Sequence, residues 1–238
     1  MLPVRDNVPR RHPPVVLWWL IGINCAVYFL ETRLPDAGQE ALLTTLGLVP
    51  AQVALSHPLA SLLPFFTCMF LHGGLLHLLG NMWFLWIFGA NVEDRMGPLR
   101  FLLFYLTCGL LAGLTHVLLN WGSQVPTIGA SGAISGVLGA YLFLFPRSQL
   151  IVLLPIFFIP FFFELPAVLY LVGWFLFQFF QAELTYLGGG RGSEVAFWAH
   201  VGGFVAGAAL FGLFLRPREE RRPVPLDAWG IPAAWRGR

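Results

Sequence analysis

The chain of 238 residues is 57% hydrophobic and only 11% charged, with a mean hydropathy of +0.73. Soluble domains carry about 25% charged residues, so a soluble fold is excluded and lipid must solvate part of this chain. All 14 basic residues are arginines, and most lie near the two ends. This distribution argues against a nucleic-acid-binding protein and favours positive-inside orientation in a membrane.

The first predicted span is Val15–Leu30, preceded by a cytoplasmic segment, residues 1–14. A secretory signal peptide is the alternative interpretation, but no small-x-small cleavage site follows, so we expect a retained span. Residues 31–70 contain four prolines and several apolar patches. They predict a long loop that lies partly in the membrane interface.

Three further spans are predicted from continuous apolar runs. They are Leu75–Ala90, Leu99–Leu119 and Ala130–Phe145, and a short polar connection, Asn91–Pro98, separates the first two. The three cysteines, Cys25, Cys68 and Cys108, are scattered among apolar stretches. They predict neither a disulfide framework nor a metal site.

The run Leu150–Phe180 contains three prolines and could hold one span or two, and its first part could be helix, strand or loop. Six spans in total leave every arginine except Arg33 and Arg191 on the cytoplasmic side, as the positive-inside rule favours. We therefore predict a fifth span at residues 165–180 and a sixth at 195–215. The membrane domain is then 15–215, followed by a flexible cytoplasmic tail, 216–238.

Two polar residues with glycines nearby stand out at membrane depth, where polar side chains require an explanation. Ser131 lies in Gly129-Ala130-Ser131-Gly132, and His200 precedes the pair Gly203 and Gly207 by one turn. Small residues at this spacing also serve simple helix packing. If the two glycine faces pack together, His200 comes within hydrogen-bond reach of Ser131 and can act as its general base.

A third cluster, His72-Gly73-Gly74 with His77 and Asn81, enters the second span. His77 and Asn81 are four residues apart, so they share one helical face. Zinc-binding histidine pairs use the same spacing, but no third ligand is evident, and two donors aimed at one point suit an oxyanion hole. Glu93-Asp94-Arg95 is interpreted as a solvated or structural ion pair.

The order HGGLLHLLGNM, NVEDRMG, GASGAISG and AHVGGFVAG closely resembles the rhomboid family of intramembrane serine proteases, over about residues 45–215. The resemblance implies an all-α bundle of six transmembrane helices and a serine–histidine dyad without an acidic third member. It implies that transmembrane proteins are the substrates, and that the fifth span is a candidate lateral gate. We expect no cofactor, no metal and no nucleic acid partner.

The resemblance also implies roles for individual residues. Ser131 matches the nucleophile and His200 the base, and His77, Asn81 and the Ser131 amide match the oxyanion donors. The remaining matches imply structural roles near the site: His72, Gly129, Gly132, Gly203, Gly207, Glu93 and Arg95. Ser135 departs from the pattern, because several members have an aromatic residue there that stacks on the histidine. Trp198 is a candidate replacement.

Two other functions remain open from the sequence. One is a catalytically inactive relative that binds membrane proteins, although such proteins typically lack the serine or the histidine. The other is a channel or transporter, which has little support because the sequence shows no internal repeat. The expected location is a bacterial plasma membrane, with both termini cytoplasmic.

Overall fold

The computed structural model describes residues 1–53, 58–156, 159–187 and 196–217. Helices dominate these residues, joined by short 3₁₀ turns at Pro50–Gln52 and Cys68–Phe70. The helices are α1 (Val15–Glu31), α2 (Asp36–Leu46), α3 (Pro58–Thr67), α4 (Leu75–Met96), α5 (Pro98–Leu119), α6 (Ser131–Leu144), α7 (Ala167–Leu187) and α8 (Phe197–Phe214). The strands are β1 (Leu2–Asp6), β2 (Gln149–Ile156) and β3 (Ile159–Pro166).

Within the described residues, three helices are long and apolar enough to cross a membrane: α4, α5 and α8. The helices α1 and α6 and the first part of α7, Ala167–Gln181, are apolar but shorter. The bounds of α1, α5, α6 and α8 lie within a few residues of the apolar segments predicted from the sequence. Helix α4 extends well beyond its predicted end. Helix α7 begins two residues after its predicted start and extends past its predicted end. The end of the tail, residues 218–238, lies outside the described residues.

The central packing is the contact between α6 and α8, where glycines from both helices face each other. A Cβ atom added to Gly203 would overlap the carbonyl oxygen of Gly132, and one added to Gly207 would overlap that of Gly136. Any larger side chain would push the helices apart, so the backbones touch only because these positions are glycine. Thus the small residues act in packing and also set the separation of the two helices.

Glu93 and Asp94, at the end of α4, bind the segment that enters α1. The two carboxylate oxygens of Glu93 accept hydrogen bonds from the amides of Val16 (2.9 Å) and Leu17 (2.8 Å), which lack acceptors within their own helix. Asp94 accepts a hydrogen bond from the amide of His12, and its Oδ1 lies 2.8 Å from Nδ1 of the His12 ring, which is hydrogen-bond distance. Glu93 is therefore a helix cap, where the sequence suggested an ion pair.

The prediction of an all-α fold was wrong, because a three-stranded antiparallel sheet is present in the order β1-β2-β3. Pro155 on β2 pairs with Pro160 on β3, next to the last residue pair, Ile156 with Ile159. Proline disrupts helices, and the surrounding β-branched and aromatic residues favour strands. Strand β1 lies in the segment predicted only as a cytoplasmic extension, and Asp6 at its end accepts a hydrogen bond from Tyr141 Oη at 2.6 Å.

The segment predicted as a long interfacial loop, residues 31–70, contains α2 and α3. One further prediction of local structure was wrong. The predicted polar connection Asn91–Pro98 is helical as far as Met96, after a π-helical turn at Leu85–Gly89. Asn91 and Glu93 are buried there and form hydrogen bonds with Asp6 and the start of α1. These polar side chains therefore contact residues distant in sequence and do not form a solvent-exposed turn.

Gly207→Ala should destabilise the protein by about 1–3 kcal/mol, because the added methyl group overpacks the α6–α8 contact. Gly212→Ala, on the same helix, is the matched control, since a Cβ there would meet no atom within 4 Å. Thermal unfolding in detergent measures both. Equal unfolding temperatures for the two variants would contradict the close packing.

Candidate active site

The sequence-predicted site residues come from the N-terminal parts of three helices. Ser131 is the first residue of α6, His200 lies in the first turn of α8, and His77 and Asn81 occupy the first two turns of α4. The three helices bring these ends together, on the opposite side of the bundle from the β-sheet that follows α6. Residues separated by more than 100 positions therefore meet at one end of the bundle.

Ser131 and His200 are in direct contact. The hydroxyl Oγ of Ser131 lies 2.8 Å from Nε2 of His200, which is hydrogen-bond distance. This contact is possible because Gly132 and Gly203, the next small residues on α6 and α8, let the backbones approach. A serine hydroxyl bonded to an imidazole nitrogen is the arrangement that a nucleophile and its general base require.

His77 and Asn81 flank the turn before Ser131. Gly129 in this turn has φ +118°, a conformation that favours glycine, and its amide donates to the carbonyl of Cys68 at 2.8 Å. A Cβ at Gly129 would lie 2.7 Å from His77 Nε2 and 3.5 Å from Asn81 Nδ2. The missing side chain therefore lets both polar groups reach the space beside Ser131.

His72 lies just before α4 and orients Asn81. The amide Nδ2 of Asn81 donates to Nε2 of His72 at 3.0 Å. Burial, followed by the charge of neighbouring His77, lowers the pKa of His72 from 6.5 to about 4, so its ring is a neutral acceptor at pH 7. The second N–H of the Asn81 amide stays available for another acceptor.

The backbone adds donors at the same point. Because Ser131 opens α6, its amide and those of the next two residues have no acceptor within the helix. These amides and the helix dipole give the site a partial positive charge, which stabilises an oxygen anion. The site thus combines a bonded hydroxyl and imidazole with several hydrogen-bond donors.

Two residues that the sequence did not single out contact His200. The Nδ1 atom of His200 lies 2.7 Å from Oε1 of Gln178, and the indole of Trp174 lies 6.1 Å from the imidazole, centroid to centroid. Both come from α7. Trp198, the aromatic residue suggested from the sequence, packs against Phe179 instead.

Two other polar residues near the site also have partners. Ser135 donates its hydroxyl to the carbonyl of Ser131 at 2.6 Å. His116, buried on α5 and missed by the sequence analysis, lies 2.8 Å from Thr127 Oγ1, in the loop that leads to Ser131. Over the described residues, no group of three or more His, Cys, Asp or Glu side chains is placed to hold a metal ion.

Comparison with known proteins identifies the family. The family model described as the Rhomboid domain matches residues 60–217, which is more than half of the chain. The chain therefore belongs to the rhomboid family. The sequence motifs that carry the resemblance lie in, or directly next to, α4, α6 and α8.

Curated relatives support this membership. Rhomboid protein 1, mitochondrial, of Saccharomyces cerevisiae is 26% identical over 93% of this chain and 59% of its own length. RHOMBOID-like protein 5 of Arabidopsis thaliana is 40% identical over 32% of this chain and 25% of its own. The mouse presenilin-associated rhomboid-like protein, mitochondrial, is 30% identical over 58% and 35%.

The chain thus spans less than two thirds of each of these relatives. Two of the three are mitochondrial by name, and all three are eukaryotic. They support the assignment to a membrane protein family. They give no support to the bacterial plasma membrane expected from the sequence.

Acid should destabilise the wild type through His72. Its pKa is about 4 in the folded protein against 6.5 ordinarily, so the unfolded chain binds more protons between these values and stability falls as the pH drops through this window. His72→Gln keeps an acceptor for Asn81 but does not titrate. The loss of unfolding temperature between pH 7 and pH 4.5 should be smaller in this variant, and equal losses would exclude His72 as a contributor.

Proposed function

We propose that this protein is an intramembrane serine endopeptidase with Ser131 as nucleophile and His200 as general base. The observation that carries the proposal is the 2.8 Å contact between Ser131 Oγ and His200 Nε2 at the meeting point of α4, α6 and α8. The family supports it, since all four motifs are present and both residues of the dyad are retained. A catalytically inactive relative would not need the pair in bonding contact.

We further propose that α1, α4, α5, α6, α7 and α8 are six membrane spans, with both termini cytoplasmic. The arginine distribution supports this orientation, because it leaves only Arg33 and Arg191 outside. In this orientation Ser131 and His200 lie near the extracytoplasmic surface. Water, which hydrolysis requires, can reach the site from there.

Catalysis begins with attack of the Ser131 hydroxyl oxygen on a substrate carbonyl carbon. The hydroxyl proton passes to Nε2 of His200, and the carbonyl oxygen becomes an anion. We assign Asn81, His77 and the Ser131 amide as the hydrogen-bond donors that stabilise this anion. A single such donor is worth about 3 kcal/mol of transition-state stabilisation.

The second half of the reaction reverses the roles. The His200 imidazolium protonates the leaving amine, the peptide bond breaks, and an acyl-enzyme remains on Ser131. Water, deprotonated by His200, then attacks the ester and frees the serine. This sequence uses only the residues assigned above and one water molecule.

The expected substrates are transmembrane segments of other proteins. A helix hides its peptide bonds in backbone hydrogen bonds, so the cleaved segment must unwind before Ser131 can reach it. Glycine lowers the cost of unwinding by about 1 kcal/mol per residue relative to alanine. Cleavage should therefore favour segments with glycine or other weak helix formers near their extracytoplasmic end.

Ser131→Ala should abolish cleavage of a reporter transmembrane segment by the purified protein in proteoliposomes, since the nucleophilic oxygen is lost. Ser148→Ala is the matched control. This serine follows α6 at the far end and donates to the carbonyl of Phe145. Gel analysis of the reporter measures both, and cleavage that persists in Ser131→Ala would refute the assignment.

A further inference from the structure

Gln178 is a buried amide in an apolar helix that the proposed mechanism has not used. Its side chain is only 8% exposed. A polar group at this depth is costly unless it is bonded, so its partner indicates its role. That partner is Nδ1 of His200, 2.7 Å from Oε1 of Gln178.

The same face of α7 carries a second contact to His200. Trp174 precedes Gln178 by four residues, so the two side chains share one face of the helix. The Trp174 indole packs beside the imidazole at 6.1 Å, while Leu176 and Phe177, on other faces, are exposed. One face of α7 thus holds the imidazole by a hydrogen bond and a ring contact.

The hydrogen bond decides which nitrogen of His200 carries the proton. A neutral imidazole has one N–H, and only the bare nitrogen can accept the proton of Ser131. In the structure the Gln178 amide turns its oxygen, which can only accept, toward Nδ1. This orientation requires the proton on Nδ1 and leaves Nε2 free to act as the base. The opposite tautomer would leave Nε2 unable to take the serine proton.

We propose that Gln178 is the positioning residue of a Ser131–His200–Gln178 triad, the neutral counterpart of the carboxylate in a serine protease triad. This inference rests on the proposed function and adds a third member to its dyad. Gln178 does not touch the substrate, and the proton on Nδ1 stays there throughout the reaction.

A neutral amide suits this place for an electrostatic reason. A carboxylate buried beside the imidazole would need desolvation, which often offsets the attraction that it gains. The amide oxygen fixes the tautomer and ring orientation without a buried charge. It stabilises the imidazolium only through its dipole, so the base is oriented but not strongly activated.

Gln178→Met removes the acceptor at nearly constant volume and should lower kcat about 10- to 100-fold, the effect of leaving one buried N–H without a partner. KM should change less than about twofold. Gln178→Glu restores an acceptor, so it should recover most of the activity at neutral pH. Its carboxylate should also move the acid limb of the pH–rate profile to higher pH, because a negative charge stabilises the His200 imidazolium. Leu176→Met, at an exposed position of the same helix, is the control for the introduced methionine.

Nitrogen NMR of ¹⁵N-histidine-labelled protein gives a readout independent of cleavage, because it reports which ring nitrogen of His200 is protonated. The wild type should carry the proton on Nδ1, and Gln178→Met should contain a mixture of tautomers. An unchanged tautomer together with wild-type kcat in Gln178→Met would overturn the proposal. If the wild type does not cleave but its tautomer depends on Gln178, the proposed protease function fails and the positioning role stands.

Discussion

The contact between α6 and α8 is the constraint on which the site depends. Gly203 and Gly207 face Gly132 and Gly136 so closely that a Cβ on either α8 glycine would overlap a carbonyl oxygen of α6. In lipid, no hydrophobic force drives helices together, so close backbone packing must supply the association. The same approach brings the first residue of α6 within 2.8 Å of an imidazole on α8. Packing and chemistry therefore share one cause.

The surrounding elements hold this geometry from both ends of the bundle. At the end away from the site, Glu93 caps α1, and Asp6 on β1 binds Tyr141 near the end of α6. At the site end, His72 orients Asn81, and Gly129 makes room for His77. Hydrogen bonds join Glu93 to α1, Asp6 to Tyr141 and His72 to Asn81, as buried polar residues in a membrane require. Their contacts fix the orientation of the helices that carry the site.

The sequence predicted the apolar helices well because hydropathy over a long window reflects burial in lipid directly. The sequence also singled out Ser131, His200, His77 and Asn81, since polar residues in apolar helices require an explanation, and the structure brings Ser131 and His200 into contact. The end of α4 was missed because Asn91 and Glu93 resemble a polar turn in the sequence. Their hydrogen bonds to residues more than 70 positions away cannot be inferred from neighbouring residues. The sheet was missed for the same reason, because its first strand pairs with residues nearly 150 positions away.

Gln178 shows what local pattern leaves undetermined. The residue is visible as a polar interruption of an apolar helix, but nothing in the spacing indicates that its amide meets His200 on α8. The resemblance to other rhomboids also gave no signal, since it implied a dyad alone. The orientation of the His200 imidazole follows from the packing of α7 against α8, which only the structure provides.

Reaction of the purified protein with a fluorophosphonate, followed by mass spectrometry, tests the central claim most directly. The account predicts that the folded wild type is modified at Ser131 and that His200→Ala, still folded, reacts far more slowly. An unmodified Ser131 in the folded wild type, or equal labelling without the imidazole, would contradict it.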